Sequence, residues 1–269
     1  MLVNGKPADT ISAADRGLSY GDGVFRTLRV QQGSPFCWQR QYDKLRHDCD
    51  ALQIACPAAD VLLQELKMLA GTGSGIAKIT VTRGIGTRGY APSLQADPTR
   101  VISFHPAPVY DEAIYAEGIT PHLCDLKLSR QPRLAGIKHL NRLENVIAAG
   151  ECQAAGAAEG LLEDEDGFVI SGTRSNLFAV SGGRLLTPDL SASGVAGVQR
   201  DRIFAWAKKN GVECTITRMK MADLLEADEL FLVNSVFGLW PIARLQDNDF
   251  KQRQVSLLIQ TWLNDAKNK

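Results

Sequence analysis

From Trp38 to Ile54 the apolar residues Trp38, Tyr42, Leu45, Cys49 and Leu52 recur at intervals of four, three, four and three, which is one face of an amphipathic helix. Leu62, Leu66 and Leu69 mark a second helix over about 59–70, and Ile76–Thr82 and Val101–His105 read as strands. The segment Pro106–Ala113 then carries two prolines in three residues, which disfavours both helix and central strand. It is expected to link a small N-terminal domain, 1–110, to a larger C-terminal one, 111–269, with the linker over about 106–116. The second half opens on a strand-like ITPHLCDL, passes a Pro-marked loop at Ser129–Pro132 and predicts a long helix over about 141–155. Short strands are expected at Leu161–Glu163, Phe168–Ile170, Leu177–Val180 and Leu185–Thr187, then a helix over Val198–Asn210, a strand over Glu229–Asn234 and a final helix over about Val255–Ala266. This alternation predicts a mixed α/β, α+β-type chain.

Composition narrows the function classes. The chain has 269 residues, of which 45% are hydrophobic and 22% charged, so a packed core is expected. Thirty basic residues balance thirty acidic ones, which argues against nucleic acid or an anionic membrane as the main partner. The acidic run Glu163–Asp166 reads as a solvated turn. The N-terminus lacks a basic-then-apolar signal pattern and no window is apolar enough to span a bilayer. Six cysteines without C-x-x-C spacing point to free thiols in a reducing cytoplasm, and the four histidines add no metal-ligand spacing.

Three segments carry candidate chemistry. Gly84, Gly86 and Gly89 spell G-x-G-x-x-G after a strand, the dinucleotide-binding spacing. That reading requires a helix to start at the loop, and Tyr90-Ala91-Pro92-Ser93 follows instead. The glycines are therefore expected in a flexible hairpin-like loop, supplying positive φ. On it Arg83, Arg88 and Tyr90 are either solvated or aimed at a carboxylate or phosphate, which the guanidinium fork suits. In SGVAGVQRDRIFAWA, by contrast, Gly194 and Gly197 lead straight into a helix. There the N–H groups of Val198 and Gln199 form either a plain helix entry or a phosphate cradle. Lys138, between Ile137 and His139, is either a snorkelling lysine or one whose apolar surroundings favour the neutral, nucleophilic amine. Lysine plus phosphate cradle is the minimal kit for pyridoxal 5'-phosphate.

Longer segments strengthen this. Arg16-Gly17-Leu18-Ser19-Tyr20-Gly21-Asp22-Gly23-Val24-Phe25, continuing through Thr27 to Arg29, Ser175-Asn176-Leu177-Phe178, and Leu134-Ala135-Gly136-Ile137-Lys138-His139-Leu140-Asn141-Arg142-Leu143-Glu144 resemble motifs of the fold-type IV pyridoxal-phosphate enzymes, over nearly the whole chain. The resemblance implies a two-domain fold with a barrel-like sheet in the larger domain, and a homodimer with its site between the domains. It makes Lys138 the covalent anchor of the cofactor. Val198, Gln199 and Ser235 would hold its phosphate, and Asn141 would lie near its phenolic oxygen. Phe25, Thr27 and Arg29 would stand on the substrate side, with Arg83, Arg88 and Tyr90 of the glycine loop.

Two positions depart from the family pattern. Lys44 stands where relatives use an arginine for the phosphate, keeping the charge but losing the bidentate fork. Ser171 stands where relatives use a glutamate beside the pyridine nitrogen. A serine cannot hold that nitrogen protonated as a carboxylate does, which weakens the electron sink a transaminase depends on. A reaction driven by aromatisation depends on it less. With the Lys138 segment and Arg88-Gly89-Tyr90, this implies cleavage of 4-amino-4-deoxychorismate to 4-aminobenzoate and pyruvate, a folate-pathway reaction. Transamination of D- or branched-chain amino acids is the alternative within the family, and a cofactor-binding protein without catalysis is the alternative outside it.

Overall fold

The computed structural model describes residues 1–86, 88–93 and 96–265, and these form two compact units. The first comprises residues 1–108 together with the short segment 137–141, and the second comprises 109–136 and the chain from 142 onward.

In the first unit the elements run β1 (Leu2–Val3), β2 (Lys6–Pro7), α1 (Arg16–Tyr20), β3 (Gly23–Gln31), β4 (Ser34–Pro35), α2 (Trp38–Ala51), α3 (Ala59–Ala70), β5 (Gly75–Thr82) and β6 (Thr99–His105). The strands make one six-stranded antiparallel sheet in the order β2-β1-β6-β5-β3-β4. Alternate residues of β3 (Val24, Leu28, Val30) and β5 (Ala77, Ile79, Val81) are buried against Leu45 and Cys49 of α2 and Leu62 and Leu66 of α3. The period-2 stripe of the strands thus meets the 3.6-period stripe of the helices. Ile137 of the short segment completes this core.

The second unit holds α4 (Glu112–Ala116), β7 (His122–Leu128), α5 (Leu143–Ala154), β8 (Gly160–Asp164), β9 (Val169–Gly172), β10 (Asn176–Ser181), β11 (Arg184–Pro188), α6 (Val198–Asn210), β12 (Cys214–Thr217), α7 (Met221–Leu225), β13 (Glu229–Asn234), β14 (Gly238–Ile242), β15 (Arg244–Leu245), β16 (Asn248–Asp249) and α8 (Gln254–Asn264). A five-stranded sheet runs β12-β11-β10-β13-β14, with a three-stranded sheet β7-β8-β9 and a two-stranded ribbon β15-β16; no closed barrel is formed among the described residues. The continuous apolar runs LFAV and LFLV have a simple reason: β10 and β13 are buried on both faces. Leu177, Ala179, Leu230 and Leu232 enter one core, while Phe178, Val180, Phe231 and Val233 enter another with Ile203 and Trp206 of α6 and Ile259 of α8.

Three expectations change. Within the expected linker, residues 112–116 are helical, because the Asp111 side chain accepts from Ala113 N–H and caps α4. The long helix begins at Leu143, not near 141. The acidic run is not a solvated turn throughout: Asp164 is buried, its Oδ1 accepting from Asp166 and Phe168 N–H and closing the β8–β9 turn. The last helix ends at Asn264, and Ala266, where it was expected to end, lies outside the described residues.

Candidate active site

The first unit builds one group of site residues on β3. Its core-facing residues leave Phe25, Thr27 and Arg29 half-buried on the opposite face. Register places Thr80 of β5 across from Phe25 and Lys78 across from Thr27. The segment 137–141 docks on the start of β3: Phe25 N–H donates to Lys138 O at 3.0 Å, Leu140 N–H donates to Gly23 O at 2.9 Å, and Val24 pairs with His139. This lays the Lys138 side chain over the Phe25 ring, Nζ at 4.6 Å from the centroid. Lys78 approaches the same ring at 5.0 Å. Arg29 stacks its guanidinium on Phe36 at 4.8 Å. Phe25, Thr27, Arg29 and Lys138 thus share one face, and Lys78 joins them. Sequence reasoning passed Lys78 over, because only the strand register reveals it. Asn141 is exposed, its Nδ2 donating to Gly21 O at 3.3 Å. Lys44 is half-buried on α2, its carbonyl accepting from Arg26 of β3 at 3.4 Å.

The glycine loop joins β5 to β6 as a hairpin connection, and Gly84 and Gly89 adopt positive φ of 88° and 98°. Its arginines differ in employment. Arg83 is built into the fold: it grips the Asp22 carboxylate through Nε at 2.8 Å and Nη2 at 3.0 Å, and donates to Leu52 O and Gln53 O at 2.8 Å each. It is thereby withdrawn from the expected role at a substrate carboxylate. Arg16 joins Asp22 from the other side at 2.9 Å and donates to Gly89 O at 2.9 Å and Tyr90 O at 2.8 Å, anchoring the loop tip. Burial raises the Asp22 carboxyl, but the bonds and charges of Arg83 and Arg16 outweigh it and hold the group below the usual carboxylate range. Arg88 is exposed, and the Tyr90 ring is 87% exposed, tilted against Tyr20 at 5.5 Å. Thr87, between the arginines, lies outside the described residues.

The second unit holds the candidate anion cradle. Helix α6 starts at Val198 behind Gly197, with no side-chain cap, and Val198 and Gln199 are buried. A buried helix start without a cap leaves oriented N–H groups at the positive end of the dipole. In the same loop the Ser193 hydroxyl is buried without a hydrogen-bond partner among the described residues. Asn176, at the head of β10, clamps the loop: its Oδ1 accepts from Gly197 N–H at 3.0 Å and its Nδ2 donates to Val195 O at 2.8 Å. Ser235 is half-buried in the β13–β14 turn, which Asn234 organises by accepting from Val236 and Phe237 N–H at 2.8 Å each. Ser171 is buried on β9, and its hydroxyl donates to Gly172 O at 2.9 Å. An uncapped, buried helix start and an orphaned hydroxyl fit a phosphate, and a lysine amine against an aromatic ring fits a carbonyl-bearing group. The donor set therefore suits pyridoxal phosphate.

Comparisons with known proteins bear on the family. The 4-amino-4-deoxychorismate lyase of Pseudomonas aeruginosa, a crystal structure, superposes with a TM-score of 0.94 at 43% identity, covering 100% of this chain and 99% of that one. The aminodeoxychorismate lyase of Vibrio harveyi is 34% identical over 243 residues, 90% of this chain and 89% of that protein. A D-alanine aminotransferase of Listeria monocytogenes is 25% identical over 88% of this chain and 82% of its own. The profile of the class IV aminotransferases matches residues 23–245. The chain belongs to the class IV aminotransferase family.

Proposed function

We propose that this chain is a pyridoxal-phosphate-dependent carbon–oxygen lyase that converts 4-amino-4-deoxychorismate to 4-aminobenzoate and pyruvate. The observation that carries the reading is the placement of Lys138 over Phe25, on the face that also bears Thr27 and Arg29. The choice of lyase over aminotransferase is supported by 43% identity across the whole chain to the Pseudomonas lyase, against 30% over 95% of the chain to a putative branched-chain-amino-acid aminotransferase of Methanocaldococcus jannaschii.

The chemistry that the cofactor supplies when bound is electron withdrawal from the substrate carbon that bears nitrogen. Lys138 would be its covalent anchor, and its free amine would take the proton from substrate C4. The bond from the ring to the ether oxygen then breaks, and Lys138, Thr27 or a water protonates the departing enolpyruvate, which becomes pyruvate. Val198 and Gln199 N–H groups, the Ser235 hydroxyl and Lys44 hold the phosphate. Asn141 serves the phenolic oxygen and Ser171 the ring-nitrogen side. Because aromatisation drives the step, a neutral serine suffices where a transaminase needs a carboxylate. Arg29, Lys78 and Arg88 are the cations for the two substrate carboxylates, with Tyr90 beside Arg88.

The chain works as a homodimer. Support comes from α5, where Leu143, Val146 and Ile147 are 75%, 63% and 53% exposed on one face. A cytoplasmic setting is supported by six free cysteines.

The test is direct. Purified protein with bound cofactor is mixed with 4-amino-4-deoxychorismate, and 4-aminobenzoate and pyruvate are measured; a second reaction offers D-alanine and 2-oxoglutarate. Product only in the first supports the lyase, and amino transfer in the second without lyase product refutes it. A Lys138→Ala protein that keeps full activity and cofactor absorbance would also refute it.

A further inference from the structure

We propose that the buried carboxylate of Asp48 is a positioning residue for Lys138, acting through the main-chain N–H of that lysine. The inference rests on the reading of Lys138 as the cofactor's anchor. Asp48 lies near the end of α2 with its side chain 0% exposed. Its Oδ2 takes a salt bridge from Arg26 of β3, and the same oxygen accepts from Lys138 N–H at 2.9 Å. Its Oδ1 meets His47 Nδ1 at 3.1 Å. One carboxylate therefore ties a helix, a strand and the lysine segment together, across 90 positions of chain between Asp48 and Lys138.

Two further main-chain bonds of the segment, at Lys138 O and Leu140 N, run to β3 and describe one hinge-like edge. The bond to Asp48 comes from α2 and fixes the segment against rotation about that edge. A carboxylate acceptor makes this bond stronger than a neutral one. Arg26 and Phe25 are neighbours on β3 with side chains on opposite faces, so the ion pair lies on the core side of the ring over which Lys138 sits. A displacement of a reacting group by as little as 1 Å costs up to about 100-fold in rate. Beyond Arg26 and the exposed His47, the carboxylate takes a further partner, and that partner is the amide of the anchoring lysine.

Two double variants separate the roles, since both delete the ion pair together and neither strands a buried charge. Arg26→Met with Asp48→Asn keeps an oxygen acceptor for Lys138 N–H, whereas Arg26→Met with Asp48→Leu removes it. Amide hydrogen exchange at Lys138 is read in the cofactor-free proteins; absorbance of the bound cofactor, kcat and KM are read in the loaded ones. In the Leu variant, exchange at Lys138 is expected to rise about tenfold over the Asn variant. The cofactor absorbance maximum shifts, and kcat falls about tenfold or more while KM moves less than about threefold. The Asn variant recovers most of the kcat. Equal exchange, absorbance and kcat in the two variants would overturn the proposal, and so would equal losses in both. If the Leu variant does not fold, Asp48→Ala with Arg26→Met takes its place with the same readings. Failure of the anchor reading shows separately, as an active Lys138→Ala protein, and leaves the exchange result of the cofactor-free proteins untouched.

Discussion

A Cβ on Gly197 would sit 2.5 Å from Asn176 Oδ1, so the residue before α6 has no room for a side chain while Asn176 holds the loop. Gly197→Ala is expected to break that clamp and weaken cofactor binding about tenfold, measured by titrating the cofactor into cofactor-free protein. The glycine was visible in the sequence and its reason was not, because Asn176 lies 21 positions away. The same limit applied to the two loop arginines. Arg83 and Arg88 look alike on a glycine-rich stretch, and only the fold shows Asp22 claiming Arg83. Arg88→Ala should raise KM for 4-amino-4-deoxychorismate several-fold and leave cofactor affinity unchanged. Loss of the cofactor instead would put the loop at the other end of the site.

Elements with a clean period were legible; those whose period is broken by a paired charge were not. Helix α3 follows its apolar stripe closely, α2 keeps its stripe although Asp48 is buried beside it, and α6 spans the expected residues while burying Arg200 and Arg202 with Ile203 and Trp206. Strand β3 was missed as a strand because Arg26 interrupts the row Val24, Leu28, Val30, and a buried arginine makes sense only once Asp48 stands opposite it. The Asp22 hub is a further case: it joins α1 to the β5–β6 loop through two arginines distant in sequence. Its pH dependence follows from its direction of shift. A carboxyl held low in the folded state contributes its stability above its unfolded value of about 4 and loses it as pH falls through the lower folded value. Asp22→Asn should therefore cost about 2 kcal/mol at pH 7 and progressively less as pH is lowered below about 4, read by urea unfolding across that range. The end of α2 gives a chemical prediction. Cys56, just beyond α2, is half-buried and donates to Pro57 O at 3.6 Å, and the neighbouring Cys49 holds its thiol below the usual range against the opposing pull of burial. Burial pushes Cys124 up to about 12. Limited alkylation at neutral pH, followed by peptide mass spectrometry, should mark Cys56 well before Cys124 or Cys152.

At the scale of the whole molecule, the fold class and the order of the main helices and strands from Trp38 onward were legible, since the apolar periods and the proline-marked break at 106–108 are properties of the chain itself. The composition of each unit was not. Nothing in the spacing of Leu134–Glu144 announces that 137–141 leaves its sequence neighbours and joins residues 90 positions earlier or more, because hydrogen bonds to Gly23, Phe25 and Asp48 decide it. Association belongs to this scale as well. Substituting Val146→Asp and Ile147→Asp on the exposed face of α5 should shift the protein toward monomer in light scattering, with the secondary structure retained.

The loan of residues 137–141 to the first unit has a consequence for anyone dividing the gene. A fragment ending at Pro108 contains every strand of the six-stranded sheet and still lacks Ile137 from its core and an acceptor-to-donor match along the start of β3. Expressed alone, it should be poorly soluble, and a synthetic peptide spanning 134–143 should rescue it in trans.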